Sequence, residues 1–327
     1  MSVQSAERVH HETQHLTLEI LAKRPAADGV VEVVLGSPDS AELPAWLPGA
    51  HLDLHLADGL DRQYSLCGSP GDRGTYRLGV LREPASRGGS QLVHEGLAPG
   101  QSVEVTGPNN HFELVSSPRY RFVAGGIGIT PLMPMLEAAE REGAEWSLTY
   151  MGRSRATMAF LDEIVARHPG KVEVCPNDEV GILDLAERFG TVQEDTLVYA
   201  CGPEGMLRAM ESATAHWPAG SLHLERFAPK DAELLTKDRG AFTVRFTESD
   251  VEVEVPEDRS IVEVAEEAGV PVIFSCMEGT CGTCETRVLC GEVDHRDSIL
   301  SDEEKAENDV MMICVSRAKG DRLELEI

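Results

Sequence analysis

The sequence predicts a mixed architecture: a small β-barrel, then a doubly wound parallel α/β sheet, then an α+β domain with the element order of a β-grasp fold. Three observations carry that reading. Short strands punctuated by Gly and Pro clusters occupy roughly the first 117 residues. From Tyr120, apolar strands and helical stretches alternate about every 25 residues. From Phe242, two strands and a capped helix lead into a cysteine-rich loop. The expected boundaries are 1–117, 118–228 and 239–327, with residues 229–238, polar and carrying Pro229, as the linker.

Each element has a local reason. Barrel strands are expected at 16–20, 30–35, 51–56, 62–67, 75–81 and 102–106, separated by Pro48-Gly49, Ser69-Pro70-Gly71 and Pro99-Gly100. Strands of the parallel sheet are expected near 121–124, 146–151, 171–175, 196–201 and 221–227, with helices at 131–142 and 156–168 among the connections. In the last domain, strands at 242–247 and 251–255 precede a helix that Ser260 and Glu263 open as a capping box and Gly269 closes.

Composition narrows the function. No run of some 18 apolar residues occurs, and the most apolar region, 121–139, is broken by Gly125, Gly126, Gly128, Pro131 and Pro134. The first 14 residues are polar and lack a hydrophobic signal core, and the cysteines form no disulfide framework, so a reducing cytoplasm is expected. A net charge of −27 argues against nucleic acid and anionic membrane surfaces as partners. Residues 239–327 hold 22 acidic against 9 basic residues, a charge of −13. Such a surface is well solvated and also steers a basic partner.

The sharpest signal is Cys276-x4-Cys281-x2-Cys284, with Cys314 after 29 more residues. This is the spacing by which plant-type ferredoxins bind a 2Fe–2S cluster through four thiolates. Structural zinc, which usually takes paired C-x2-C knuckles, would find only one pair here. Cys290 falls outside the spacing and is expected to be a small buried hydrophobe.

Two barrel motifs suit a flavin. In Arg62-Gln63-Tyr64-Ser65-Leu66, Arg62 offers charge for a phosphate, Tyr64 a wall for the ring and Ser65 a donor near N5. Arg87-Gly88-Gly89-Ser90 precedes a helical stretch at 91–95, where backbone N–H groups, Ser and Arg together make a phosphate cradle. In the second domain, Gly125-Gly126-Ile127-Gly128-Ile129-Thr130-Pro131 ends the first strand and opens the first helix, where doubly wound folds bind pyrophosphate. Pro131 stands where a third glycine would be, and no Asp or Glu lies between Met151 and Leu161 to bind a ribose. Arg153, Ser154 and Arg155 occupy that place instead. Cys201-Gly202-Pro203 sits at another strand-to-helix turn, near where a nicotinamide would lie.

These motifs, in this order, resemble the phthalate dioxygenase reductase family over nearly the whole chain, with the vanillate O-demethylase reductases as its closest members. The resemblance implies a ferredoxin–NADP reductase-like barrel holding FMN, a domain for a nicotinamide dinucleotide (NADH), and a 2Fe–2S domain. It places FMN contacts on Arg62, Gln63, Tyr64, Ser65, Leu66, Gly79, Val80, Leu81, Arg87, Gly88, Gly89 and Ser90. Dinucleotide contacts fall on Gly126, Gly128, Thr130, Arg153, Cys201, Gly202 and Pro203, and Phe227 is placed as an aromatic near the flavin ring. Ser65, Cys201 and Phe227 are the expected catalytic set, and Cys276, Cys281, Cys284 and Cys314 the metal ligands. Relatives often carry Arg in place of Asn109, a departure at the turn after the last barrel strand. The implied partner is an oxygenase, Rieske-type or, as the alternative, a cytochrome P450. Plant-type clusters near about −400 mV lie below Rieske centres at roughly −150 to +300 mV, so electrons would run outward.

Overall fold

The computed structural model describes residues 14–57, 60–83, 88–230, 233–235 and 240–327. The chain divides into two units, Met1–Leu224 and Glu225–Ile327.

Six strands open the first unit: β1 (Gln14–Ala27), β2 (Val30–Gly36), β3 (Ala50–His55), β4 (Asp61–Ser65), β5 (Thr75–Leu81) and β6 (Ser102–Asn110). Their order is β4-β3-β6-β1-β2-β5, and an antiparallel bridge between Leu66 and Leu78 joins the two edges into a barrel. Alternation explains the closure. Tyr76, Leu78 and Val80 of β5 point into a core with Leu52, Leu54 and Leu66, all fully buried. Helix α1 (Gly89–Glu95) lies between β5 and β6 and buries Val93 in the same core.

A parallel sheet follows, β7 (Arg119–Gly125), β8 (Glu145–Gly152), β9 (Val172–Pro176), β10 (Thr196–Cys201) and β11 (Leu222–Glu225), in the order β11-β10-β7-β8-β9. Its connections contain α2 (Ile129–Arg141), α3 (Leu161–Arg167), α4 (Asn177–Val180), α5 (Leu185–Phe189) and α6 (Glu204–Thr214). The order reverses at β7, so the carboxyl ends of β7 and β10 border the crevice where this architecture binds ligands. The last strand stops at Glu225, short of the expected 227, and Phe227 is 46% exposed.

Barrel and sheet share apolar packing. Val30 and Cys67 are buried in one cluster with Tyr120, Phe122 and Phe160, and Ala26, Ala27 and Leu81 pack against it. A chain of charges crosses the same boundary. Glu32 on β2, 3% exposed, is paired with Arg24 and Arg77, and Arg77 Nη1 donates to Glu163 Oε1 of α3 at 2.8 Å. Arg77 also lies 4.8 Å from the centroid of the Phe160 ring. Replacing Arg77 with Ala leaves the buried Glu32 carboxylate with only the exposed Arg24, and breaking a buried pair costs roughly 3–5 kcal/mol. At roughly 2–4 °C per kcal/mol for a unit of this size, calorimetry should find its Tm lowered by about 10 °C. Hydrogen bonds from Arg77 hold the Glu163 carboxyl below its ordinary value of 4.5. The stability from this pair is therefore full above pH 4.5 and is lost as pH falls through the lower folded value.

The second unit contains β12 (Phe242–Phe246), β13 (Val251–Val255), α7 (Ile261–Glu267), β14 (Glu285–Cys290), β15 (Val293–Asp294), α8 (Asp302–Glu307), β16 (Val310–Met312), β17 (Arg317–Ala318) and β18 (Arg322–Leu325). The main sheet runs β13-β12-β18-β14-β16, with β12 and β18 parallel at its centre. Helix α7 packs Ile261, Val262, Val264 and Ala265 against Phe242, Val244 and Phe246. Its N-terminus carries the expected capping box, Ser260 Oγ accepting the Glu263 N–H at 3.2 Å.

Candidate active site and iron–sulfur loop

Residues 275–284 run between α7 and β14 without regular structure, which frees their N–H groups for sulfur. Glu278 N–H donates to Cys276 Sγ at 3.3 Å, and Thr280 also donates to that sulfur. Gly279, at φ +69°, adopts a left-handed conformation, and a Cβ there would lie 2.6 Å from Val315 Cγ2 and 3.0 Å from the Asp297 backbone. Only glycine therefore lets the loop wrap this tightly.

The four thiols meet as a linked series: Cys276 contacts Cys281 and Cys314, and Cys314 contacts Cys284. Cys281, Cys284 and Cys314 are each no more than 5% exposed. The same mutual contacts lower the Cys276 thiol and raise those of Cys281 and Cys314, so these sulfurs titrate as one group rather than singly. Four sulfurs in series can offer two thiolates to each of two irons, as a 2Fe–2S cluster requires.

Cys290 requires a correction. The expectation of a buried hydrophobe fails because a bulge interrupts the pairing of β14 with β18 between Val288 and Cys290. Thr286 and Val288 point inward, but the extra residue breaks the alternation and leaves Cys290 exposed.

In the barrel, the two flavin motifs come together. A Cβ on Gly89 would sit 2.8 Å from Arg62 Nε, so Arg62 lies across the first residues of α1. No side chain caps this helix, and its first turn contains no acid. The absence of a side chain at Gly89 thus lets Arg62 lie against the start of α1, and a guanidinium beside an uncapped helix start suits a phosphate. Arg87 lies outside the described residues. Ser90, 7% exposed, accepts the Glu83 N–H on its Oγ at 3.1 Å. By register Arg62 and Tyr64 share one face of β4, opposite Leu54 and Leu52, while Gln63 and Ser65 take the other, opposite Asp53 and His51. Burial pushes the Tyr64 phenol up to about 12, so it stays a neutral wall and donor. Leu66 and Val80 are fully buried, and Gly79 faces outward, where a Cβ would meet Thr130 at 2.8 Å and Phe160 at 2.9 Å.

The expected dinucleotide turns also pack on each other. A Cβ on Gly128 would lie 2.6 Å from Gly202 N, and one on Gly125 would lie 2.6 Å from Pro203 Cδ. Thr130, 2% exposed, donates through Oγ1 to Ile127 O at 3.0 Å, which pins the turn into α2. Cys201 is fully buried, so the turn presents the backbone of Gly202 and the ring of Pro203 rather than the sulfur. Arg153 is exposed at the end of β8.

Sequence reading missed a buried polar set beside Tyr64. Asp53, 3% exposed, accepts Gln63 Nε2 at 2.7 Å and Asn109 Nδ2 at 3.2 Å, and Gln63 Nε2 lies 3.2 Å from His51 Nε2. Asn109 therefore contributes an amide to a carboxylate inside the barrel wall. The strand expected at 51–56 does not by itself reveal the set, because His51 and Asp53 are buried along with Leu52 and Leu54.

Comparison with known proteins agrees with this construction. A family model for a 2Fe-2S iron-sulfur cluster binding domain matches residues 244–319, and one for an oxidoreductase NAD-binding domain matches residues 122–212. The chain is 41% identical over 314 residues to a phenoxybenzoate dioxygenase subunit beta of Ectopseudomonas oleovorans, covering 95% of this chain and 97% of that protein. The solved structure of a phthalate dioxygenase reductase matches with a TM-score of 0.70 at 35% identity, covering 96% of this chain and 98% of that one. An intact type IV self-sufficient cytochrome P450 monooxygenase matches with a TM-score of 0.87 at 41% identity, covering 96% of this chain and 41% of that much longer one.

The fold and these matches define an electron-transfer oxidoreductase with a nicotinamide-binding core and a 2Fe–2S domain, which removes the structural-zinc alternative. The chain belongs to the phthalate dioxygenase reductase family, whose cofactors are FMN, NADH and the 2Fe–2S cluster. Among the described residues no helix is long and apolar enough to cross a membrane.

Proposed function

We propose that this chain is the cytoplasmic reductase component of a Rieske-type aromatic oxygenase or O-demethylase, taking electrons from NADH and passing them on from its cluster. The observation that carries the reading is the presence, in one chain, of a four-thiol loop and the glycine-packed turns at the ends of β7 and β10. Relatives that are themselves dioxygenase components support the partner class. The acidic excess in residues 239–327 suits a basic acceptor surface.

Within this reading, residues 1–117 hold FMN, 118–228 hold NADH, 229–238 link and 239–327 carry the cluster. Arg62, Arg87, Gly88, Gly89 and Ser90 hold the FMN phosphate; Tyr64 walls its ring, Ser65 and the backbone of Leu66, Gly79, Val80 and Leu81 border it, and Gln63 steadies the strand through Asp53. Gly126, Gly128 and Thr130 receive the pyrophosphate, and Arg153 borders the adenosine ribose. The backbone of Gly202 and the ring of Pro203 shape the nicotinamide side, with Cys201 packed beneath them. When bound, FMN supplies the conversion of a two-electron hydride into the single electrons a 2Fe–2S cluster takes. The neutral Tyr64 hydroxyl and the buried Ser65 orient the ring without adding charge.

The test is reduction of candidate acceptors by purified protein and NADH. A Rieske oxygenase should lose its oxidised visible absorption faster than a cytochrome P450 is reduced. The second reading, a P450 reductase, rests on the similarity to the self-sufficient P450 monooxygenase, and the reverse order of rates would establish it instead.

A further inference from the structure

The arginines after β8 look, in sequence, like a receptor for the 2′-phosphate of NADPH. The fold gives them a different setting. In the parallel pairing of β8 with β9, Gly152 stands beside Pro176, so the turn leaving β8 and the short helix α4 after β9 start side by side at the carboxyl edge. Asp178 N–H donates to Arg153 O at 3.1 Å and ties turn and helix together through the backbone. The Glu179 carboxylate then takes Arg155 in a two-point grip, Nε to Oε1 at 2.8 Å and Nη2 to Oε2 at 3.2 Å. Ser154 and Thr157 hold the other side of the turn: Thr157 Oγ1 accepts the Ser154 N–H at 3.2 Å and donates to Ser154 O at 2.9 Å.

We propose that Glu179 determines the preference for NADH over NADPH by occupying the edge of Arg155 that would grip a 2′-phosphate. The inference rests on the proposed placing of the adenosine ribose beyond the end of β8. An arginine binds phosphate best through two parallel N–H bonds, and here the Nε/Nη2 pair is already taken by a carboxylate. A phosphate arriving at that edge must displace Glu179 and then sit beside its negative charge. Arg153 and Arg155 together with Asp178 and Glu179 make the edge neutral rather than doubly positive. A ribose hydroxyl brings no negative charge to this edge and leaves the Arg155–Glu179 pair in place.

The test compares wild type, Glu179→Gln, Arg155→Ala and the double variant, each with cofactors loaded. One readout is calorimetric binding of 2′,5′-ADP against 5′-ADP; the other is kcat/KM for NADPH and NADH with ferricyanide as acceptor. Glu179→Gln should tighten 2′,5′-ADP and raise kcat/KM for NADPH by on the order of tenfold, about 1.4 kcal/mol, with NADH changed less than twofold. Arg155→Ala alone should leave NADPH use nearly unchanged, and the double variant should lose the gain. Unaltered 2′,5′-ADP binding in Glu179→Gln, with NADH turnover intact, overturns the role of Glu179 alone. Binding of 2′,5′-ADP that NADH fails to compete away overturns the placing of the ribose, and the proposal with it.

Discussion

Cys281→Ser is expected to leave the protein without its cluster while NADH still reduces ferricyanide at close to the wild-type rate. Cys281 is 4% exposed and lies within reach of Cys276, so a serine there offers a hydroxyl that stays protonated where a thiolate is needed. Changes outside the ligand shell of a metal centre already cost roughly 10–100-fold in metal affinity, and loss of a ligand exceeds that. Iron analysis should fall towards zero, and reduction of the oxygenase should fall by more than roughly hundredfold. Cys290→Ser is the control: that side chain is exposed beyond a bulge, and iron content should not change. Loss of iron from the Cys290 variant would refute the ligand assignment.

The second large effect is its mirror image. Gly128→Val should abolish NADH oxidation and spare the cluster. The backbone at Gly128, φ −62° and ψ 0°, is open to any residue, so the penalty is one of space. The new Cβ would press on the carbonyl of Cys201 and lie 2.6 Å from Gly202 N. Both are backbone atoms at the end of β10 and cannot rotate away. Overpacking of this kind costs roughly 1–3 kcal/mol in stability. Parting two turns that together hold a dinucleotide should also lower kcat/KM for NADH by about a hundredfold or more, since misplacement by about 1 Å costs that much. Iron content at the wild-type level with slow NADH oxidation is the expected result; unchanged NADH kinetics would remove these turns from the site.

What could be read in the sequence was whatever local order encodes. A ligand set with three cysteines on one loop needs no knowledge of the fold, and neither does a capping box such as Ser260 with Glu263. Strand-to-helix turns were legible because Gly125 to Pro131 and Cys201 to Pro203 each follow an apolar strand. What escaped depends on register and on neighbouring strands. Cys290 changed sides because one extra residue in β14 reversed the alternation. Asp53 lies in a strand the sequence shows, but its partners Gln63 and Asn109 come from β4 and β6. Glu179 lies 24 residues from Arg155, and only the parallel adjacency of β8 and β9 makes them partners.

The packing of Val30, Cys67 and Leu81 into the cluster around Tyr120 bears on how such a chain can be cut and rejoined. A fragment ending near residue 117 would carry these apolar side chains and the buried Glu32 without their covers, and the complementary fragment would expose Tyr120 and Phe122. Neither piece is a sound unit of exchange. A join just after β11 severs none of that packing, so recombination between reductases should transmit barrel and parallel sheet together, as one heritable block, while the iron–sulfur segment is traded separately.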